Sequence, residues 1–211
     1  MTKLVIFDYD GTIADSSSYA YDIYMTLMKR LGKPVMSAEA FDALRKKPMR
    51  ARIKQAGIPF WRVPKLIRMT KEIQRSYASQ THPYEGIIGL LKDLRTRAGL
   101  SIVSSNAPSN IHTFLKTQGI DFFDDIIGNR GVNGKAPALR KLVGRHGLNP
   151  SDVLYVADET RDIRAARKAG IRIIAVTWGY DHHELLLSQQ ADAVAHNTQE
   201  LKALVQKHLE L

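Results

Sequence analysis

Residues 153–176, Val153-Leu154-Tyr155-Val156-Ala157-Asp158-Glu159-Thr160-Arg161-Asp162 and onward through Gly170 to Val176, decide the fold. Val153 to Ala157 carries no charge and is too short for a helix, so it reads as a strand buried on both faces. Residues 160–169 read as a helix, and 171–176 is a second short apolar run. Strand, helix and strand in that order form one unit of a parallel sheet.

Working outward, the same alternation continues. A helix is expected over 86–97, a strand over 100–103, a helix over 108–117, a strand near Ile126-Ile127, a helix over 136–146, and a last helix over 198–209. At the other end, residues 3–7 form a short run rich in β-branched side chains that ends in Asp8-Tyr9-Asp10-Gly11-Thr12. The fold class is therefore α/β: a parallel sheet with helices on both faces and right-handed crossovers.

Between the first strand and this series lies a segment of another kind. Tyr21, Tyr24, Leu27, Met28 and Leu31 recur at helical spacing, and Gly32 with Pro34 stops the helix. Ser37 is placed to cap a helix over 37–46. A short helix is expected around 49–56, and another from Val63 to about Ser79 with Leu66, Ile67, Thr70, Ile73 and Tyr77 on one face. Residues 16–84 hold 14 Lys or Arg against Asp22, Glu39, Asp42 and Glu72, so the whole net charge of +10 resides there and the remainder is neutral. We expect a helical domain over 16–84 inserted into a core of residues 1–15 and 85–211. Its densest cationic run is Arg45-Lys46-Lys47 with Arg50, Arg52 and Lys54. That run reads either as a lid presenting cations to a ligand or as solvated helix faces.

Composition narrows the chemistry. With no cysteine among 211 residues, disulfides, zinc-thiolate sites, iron-sulfur clusters and cysteine nucleophiles are excluded, and any metal sits on oxygen or imidazole. No apolar run approaches the roughly 20 residues that span a bilayer, so a cytoplasmic protein is expected, with no membrane partner.

In a parallel sheet, ligands bind beyond the carboxyl ends of the strands. Asp8 and Asp10 follow the first strand, Ser104-Ser105-Asn106 the second, and Asp158 with Asp162 follows Val153–Ala157, while Lys135 opens a helix. Converging acids repel one another unless a cation neutralises them. A hard divalent ion on oxygen ligands, Mg²⁺ above all, fits this set. Such an ion also shields an incoming phosphate from Asp8, whose carboxylate can then attack phosphorus.

These residues carry a resemblance. Asp8-Tyr9-Asp10-Gly11-Thr12 resembles the D-x-D-G-T signature of haloacid dehalogenase-type phosphatases, and Tyr155 to Asp162 resembles their fourth motif. Val176-Thr177-Trp178-Gly179-Tyr180 is similar to the phosphoglycolate-phosphatase-like branch. The resemblance implies a Rossmann-like core with an inserted helical cap, and it implies roles. Asp8 would be the nucleophile, forming an aspartyl-phosphate, and a metal ligand. Asp10 would protonate the leaving oxygen and then activate water, its backbone carbonyl binding Mg²⁺; dehalogenating relatives lack an acid there. Thr12 would supply a polar contact near the phosphate. Ser104 or Ser105 would bind phosphoryl oxygens with the backbone around Asn106. Lys135 would hold both the nucleophile and the phosphate. Asp158 would complete the metal site, with Asp162 orienting it. Where the family places Gly before the first acid of its fourth motif, this chain has Ala157, which is tolerated if the backbone there has negative φ.

The expected activity is a Mg²⁺-dependent phosphomonoesterase acting on a small phosphorylated metabolite, phosphoglycolate or another phosphate with a second anionic group. Two other readings stand beside it: a phosphosugar mutase of the same fold, and a nucleotide- or nucleic-acid-binding protein with a vestigial site, which would bind polynucleotide with steep salt dependence. Ser105 and Asn106 also suit a plain helix cap. His182-His183 reads as a solvated turn with diverging rings, and Trp178 and Tyr180 as packing near the site rim.

Overall fold

In a computed structural model describing residues 3–77, 80–128 and 134–210, six parallel strands form one sheet. The strands are β1 (Leu4–Phe7), β2 (Gly99–Val103), β3 (Asp125–Ile127), β4 (Val153–Ala157), β5 (Arg172–Val176) and β6 (Ala193–Ala195), in the spatial order β3-β2-β1-β4-β5-β6. All four residues of β1 are buried, because it lies between β2 and β4 with helices on both faces.

Side chains alternate between those faces. Val5 and Phe7 pack with α5 (Ile87–Arg95), α6 (Pro108–Thr117) and α10 (Thr198–Leu209), whereas Leu4 and Ile6 pack with α7 (Ala136–Arg145) and α8 (Thr160–Ala169). Removing each such side chain from water contributes about 1.5–3 kcal/mol, which is why uncharged five-residue runs commit to strands here.

After β1 the described chain is helical through α1 (Ala20–Arg30), α2 (Ala38–Arg45), α3 (Met49–Gln55) and α4 (Val63–Tyr77). Ser37 caps α2 as expected, its hydroxyl accepting from the Ala40 N–H at 3.3 Å. Ser79, expected near the end of α4, lies outside the described residues. Ile23, Leu27, Met28, Ile58 and Ile73 form a separate small core for these helices. The chain leaves and re-enters the sheet side by side: Asp15 N–H donates to the His82 carbonyl at 2.8 Å, and Tyr84 N–H to that of Ile13 at 3.0 Å.

Two elements depart from expectation. The edge strand β6 has only three residues, and α9 (His183–Leu187) only five, each too short to show a period in the sequence. Among the described residues, no helix is long and apolar enough to cross a membrane.

Candidate active site

The strand order reverses direction at β1: the chain proceeds outward to β2 and β3 on one side, then returns to build β4, β5 and β6 on the other. The crevice beyond β1 and β4 is therefore the switch point where such sheets bind ligands. Pairing of Phe7 with Val156, and donation from Asp8 N–H to the Val156 carbonyl at 2.8 Å, bring Asp8 and Asp158 together there.

Asp8 is fully enclosed. Its Oδ1 accepts from the Tyr9 N–H at 2.7 Å and its Oδ2 lies 2.5 Å from Lys135 Nζ. The same ammonium lies 2.8 Å from Asp162 Oδ1 and donates to the Tyr155 hydroxyl at 3.0 Å. Burial raises the Asp8 carboxyl to about 7, against the pull of Lys135. The Asp158 carboxylate accepts from the Thr12 hydroxyl at 3.0 Å and the Tyr180 N–H at 2.7 Å. Burial, then Glu159 and Asp8, push its pKa well above the carboxylate range.

Asp8, Asp158 and Asp162 offer carboxylate oxygens that all lie within 4.8 Å of one another. Asp162 Oδ2 is buried without a hydrogen-bond partner among the described residues. Three acids crowded this closely, with one acceptor left open, suit a hard divalent cation, so the donor set fits Mg²⁺. Asp162, expected to orient the site, thus brings its own carboxylate into the group. The Asp10 carboxylate points elsewhere: Oδ2 accepts from Asn106 Nδ2 at 3.0 Å, and burial raises its pKa.

The two serines separate clearly. Ser104 is buried and its hydroxyl accepts from the Asn106 N–H at 3.0 Å, whereas the Ser105 hydroxyl has no partner among the described residues, and Ser105 lines a cavity with Asp10 and Asn106. Asn106 Oδ1 accepts from the Ala107 N–H at 2.8 Å, so this side chain combines capping with contact to Asp10.

Two glycines make room for Asp158. Gly11 has φ +75°, and a Cβ at Gly11 or at Gly179 would overlap the Asp158 carboxylate. Ala157, by contrast, lies in β4 without positive φ, its methyl in the sheet core beside Ala136 and Ala175, so Asp158 keeps its place.

Several functional contacts were invisible to the sequence reading. The Tyr155 hydroxyl sits between Lys135 and Asp162 Oδ1, at 3.3 Å from the latter. A hydroxyl inside an aliphatic strand is itself a signal, because it demands a partner. Arg45 and Arg52, from the cationic run, face the core: Arg45 donates to the Gly179 and Tyr180 carbonyls at 2.5 and 2.9 Å, and Arg52 pairs with buried Asp181. Asp181 in turn accepts from the Thr160 N–H at 2.8 Å, at the start of α8.

The rim residues pack as expected: the Trp178 indole donates to the Thr12 carbonyl at 3.2 Å and the Tyr180 hydroxyl to that of Ser16 at 3.0 Å. The histidine pair differs from expectation. His183 opens α9, and its ring lies 4.3 Å from that of His182, so the two rings pack against each other instead of diverging.

The profile of haloacid dehalogenase-like hydrolases matches residues 5–176. A phosphoglycolate phosphatase from Synechococcus elongatus is 32% identical over 192 residues, 90% of this chain and 91% of that one. Phosphoglycolate phosphatase 1 of Pseudomonas aeruginosa is 25% identical over 95% of this chain and 79% of its own. Among solved structures, a haloacid dehalogenase-like hydrolase from Streptococcus pneumoniae superposes with a TM-score of 0.81 at 26% identity, covering 97% of this chain and 98% of that one.

Proposed function

The chain belongs to the haloacid dehalogenase-like hydrolases and is a phosphatase, and on that premise we propose that it hydrolyses the phosphomonoester of a small metabolite through an aspartyl-phosphate on Asp8. The observation that carries this reading is the buried convergence of Asp8, Asp158 and Asp162, with Lys135 bridging Asp8 and Asp162. Asp8, Asp158, Asp162 and the Asp10 carbonyl would hold Mg²⁺, which when bound supplies charge neutralisation between Asp8 and the phosphate.

An Asp8 carboxylate oxygen attacks phosphorus, the bond from phosphorus to the leaving oxygen breaks, and the proton on Asp10 passes to that oxygen. Raised by burial, the Asp10 carboxyl is suited to carry that proton. Asp10, now a carboxylate, takes a proton from water, which attacks the phosphoryl group, and the phosphorus–Asp8 bond breaks to release inorganic phosphate. Lys135 holds Asp8 in position and offsets charge growing on the phosphoryl oxygens. The free hydroxyl of Ser105, more than the engaged hydroxyl of Ser104, suits it to bind those oxygens, with Asn106 steadying Asp10. Thr12 acts by holding Asp158.

Residues 16–84 act as a cap over a core of residues 1–15 and 85–211, and the enzyme works in the cytoplasm. The names of the relatives make phosphoglycolate the first substrate to test. Phosphate release from a panel of phosphorylated metabolites, with Mg²⁺ and with chelator, is the direct experiment. Release should require the metal, concentrate on anionic substrates, and fall at least about a thousandfold in Asp8→Asn. Turnover retained by that variant would be incompatible with Asp8 as nucleophile.

A further inference from the structure

A cavity of about 260 Å³ runs from the strand ends into the helical segment. Asp10, Ser105 and Asn106 line its core side. On the opposite side, α4 contributes Leu66, Ile67, Thr70, Lys71 and Gln74, whose spacing of three and four residues makes them one stripe of that helix. Along the stripe the chemistry changes, from apolar at Leu66 and Ile67 to a hydroxyl, an ammonium and an amide at Thr70, Lys71 and Gln74.

Three cations line the cavity, and two are already matched. Arg52 pairs with Asp181, and Arg161 lies 2.5 Å from the buried Glu159 carboxylate. Lys71 has no ion pair among the described residues. Its neighbour Glu72 is engaged by Arg30 at 2.8 Å, and Glu72 does not line the cavity. A half-buried lysine lining a cavity with apolar walls, with no counter-charge of its own, attracts an anion more strongly than a fully solvated lysine does.

Resting on the phosphomonoesterase reading, we propose that Lys71, flanked by Thr70 and Gln74, determines specificity by binding the second anionic group of a phosphorylated carboxylic acid. The phosphoryl end lies at Ser105 and Asn106, and the carboxylate spans the cavity to α4. The phosphoryl site and Lys71 thus read the two ends of one short substrate.

The experiment compares 2-phosphoglycolate with phenyl phosphate, which has no second anion, in the parent enzyme, Lys71→Met and Lys71→Arg. The ratio of kcat/KM for the first over the second should fall at least about tenfold in Lys71→Met, through KM, as expected for loss of one hydrogen bond to a charged group. Lys71→Arg should recover most of it. An unchanged ratio, or equal loss on both substrates, overturns the assignment. Calorimetric binding of 2-phosphoglycolate and of inorganic phosphate to Asp8→Asn, with and without Lys71→Met, reads the same contact without turnover. Weakened phosphoglycolate binding with phosphate spared supports Lys71 even if neither ester is hydrolysed, an outcome that would sink only the catalytic reading. Any other binding pattern removes Lys71 from recognition.

Discussion

At the strand ends, charge is buried and held by partners within the site; in the helical segment it is in surplus and largely solvated. Asp8, Lys135, Asp158 and Asp162 are each at most 3% exposed, and each has a partner inside the site. Packing differs in the same sense. The sheet helices close over the central strands β1, β2 and β4, whose residues are all buried, whereas among the described residues the helical segment's own core is a cluster of five buried apolar residues beside an apolar cavity of about 220 Å³. On the proposed reading, chemistry that needs fixed groups is housed in the tightly packed part, and recognition in the part with more room to repack. A loosely packed cap also depends more on what fastens it to the core.

That dependence gives the largest effect. Arg52 and Asp181 are 15% and 4% exposed, so removing the arginine strands a carboxylate in the interior. Arg52→Met should cost on the order of 3 kcal/mol by urea denaturation. Asp181→Asn added to it should restore part of the loss, because a neutral amide is cheaper to bury than an unpaired charge. If Arg52→Met is as stable as the parent, the cap is held by something else and the contrast between the regions is weaker than drawn.

Gly179→Ala tests the other region. Its methyl would overlap the Asp158 carboxylate, which the neighbouring Tyr180 N–H now holds at 2.7 Å. The Mg²⁺ concentration giving half-maximal activity should rise about 10- to 100-fold, the range seen when groups orienting metal ligands are lost, with little change in the circular dichroism spectrum. An unaltered metal requirement would show that Asp158 does not bear on the ion.

The same contrast explains what was legible in the sequence. Strands buried on two faces announce themselves as uncharged runs, so Asp8, Asp10 and Asp158 could be placed at one end of a sheet from the residues that precede them. Lys135 followed from its position before a helix. The run from Arg45 to Lys54 gave no such guide: six cations occur there, yet Arg45 and Arg52 turn inward to the core, Lys46 reaches Glu184 of α9 from an exposed position at 3.4 Å, and Lys47, Arg50 and Lys54 are exposed. Which side a cap cation faces is decided by the docking of distant segments, not by local period. Lys71 was hidden for the same reason, and Tyr155 because a strand pattern records its burial and not the direction of its hydroxyl. The choice between Ser104 and Ser105 needed the path of the chain after β2, which hydroxyl-for-hydroxyl reading cannot supply.

The smallest effect lies in the dependence on pH. Burial lifts the Asp8 carboxyl from 3.8 to about 7, and Asp158 is raised as well, in the protein without metal. Between about pH 4 and 7 the folded chain therefore holds protons that the unfolded chain has released, so these groups make the metal-free protein less stable as pH rises through that window. Mg²⁺ competes with those protons for the same oxygens. Its stabilising effect should accordingly be small at pH 5.5 and larger at pH 8, the melting temperature moving about 2–4 °C for each kcal/mol gained by a chain of this size. Thermal denaturation with Mg²⁺ and with chelator at the two pH values measures the difference directly. Asp8→Asn, which removes one of the titrating groups, should flatten it. Equal shifts at both pH values would mean that the buried acids are already ionised without the ion, and that Lys135 alone suffices to balance them.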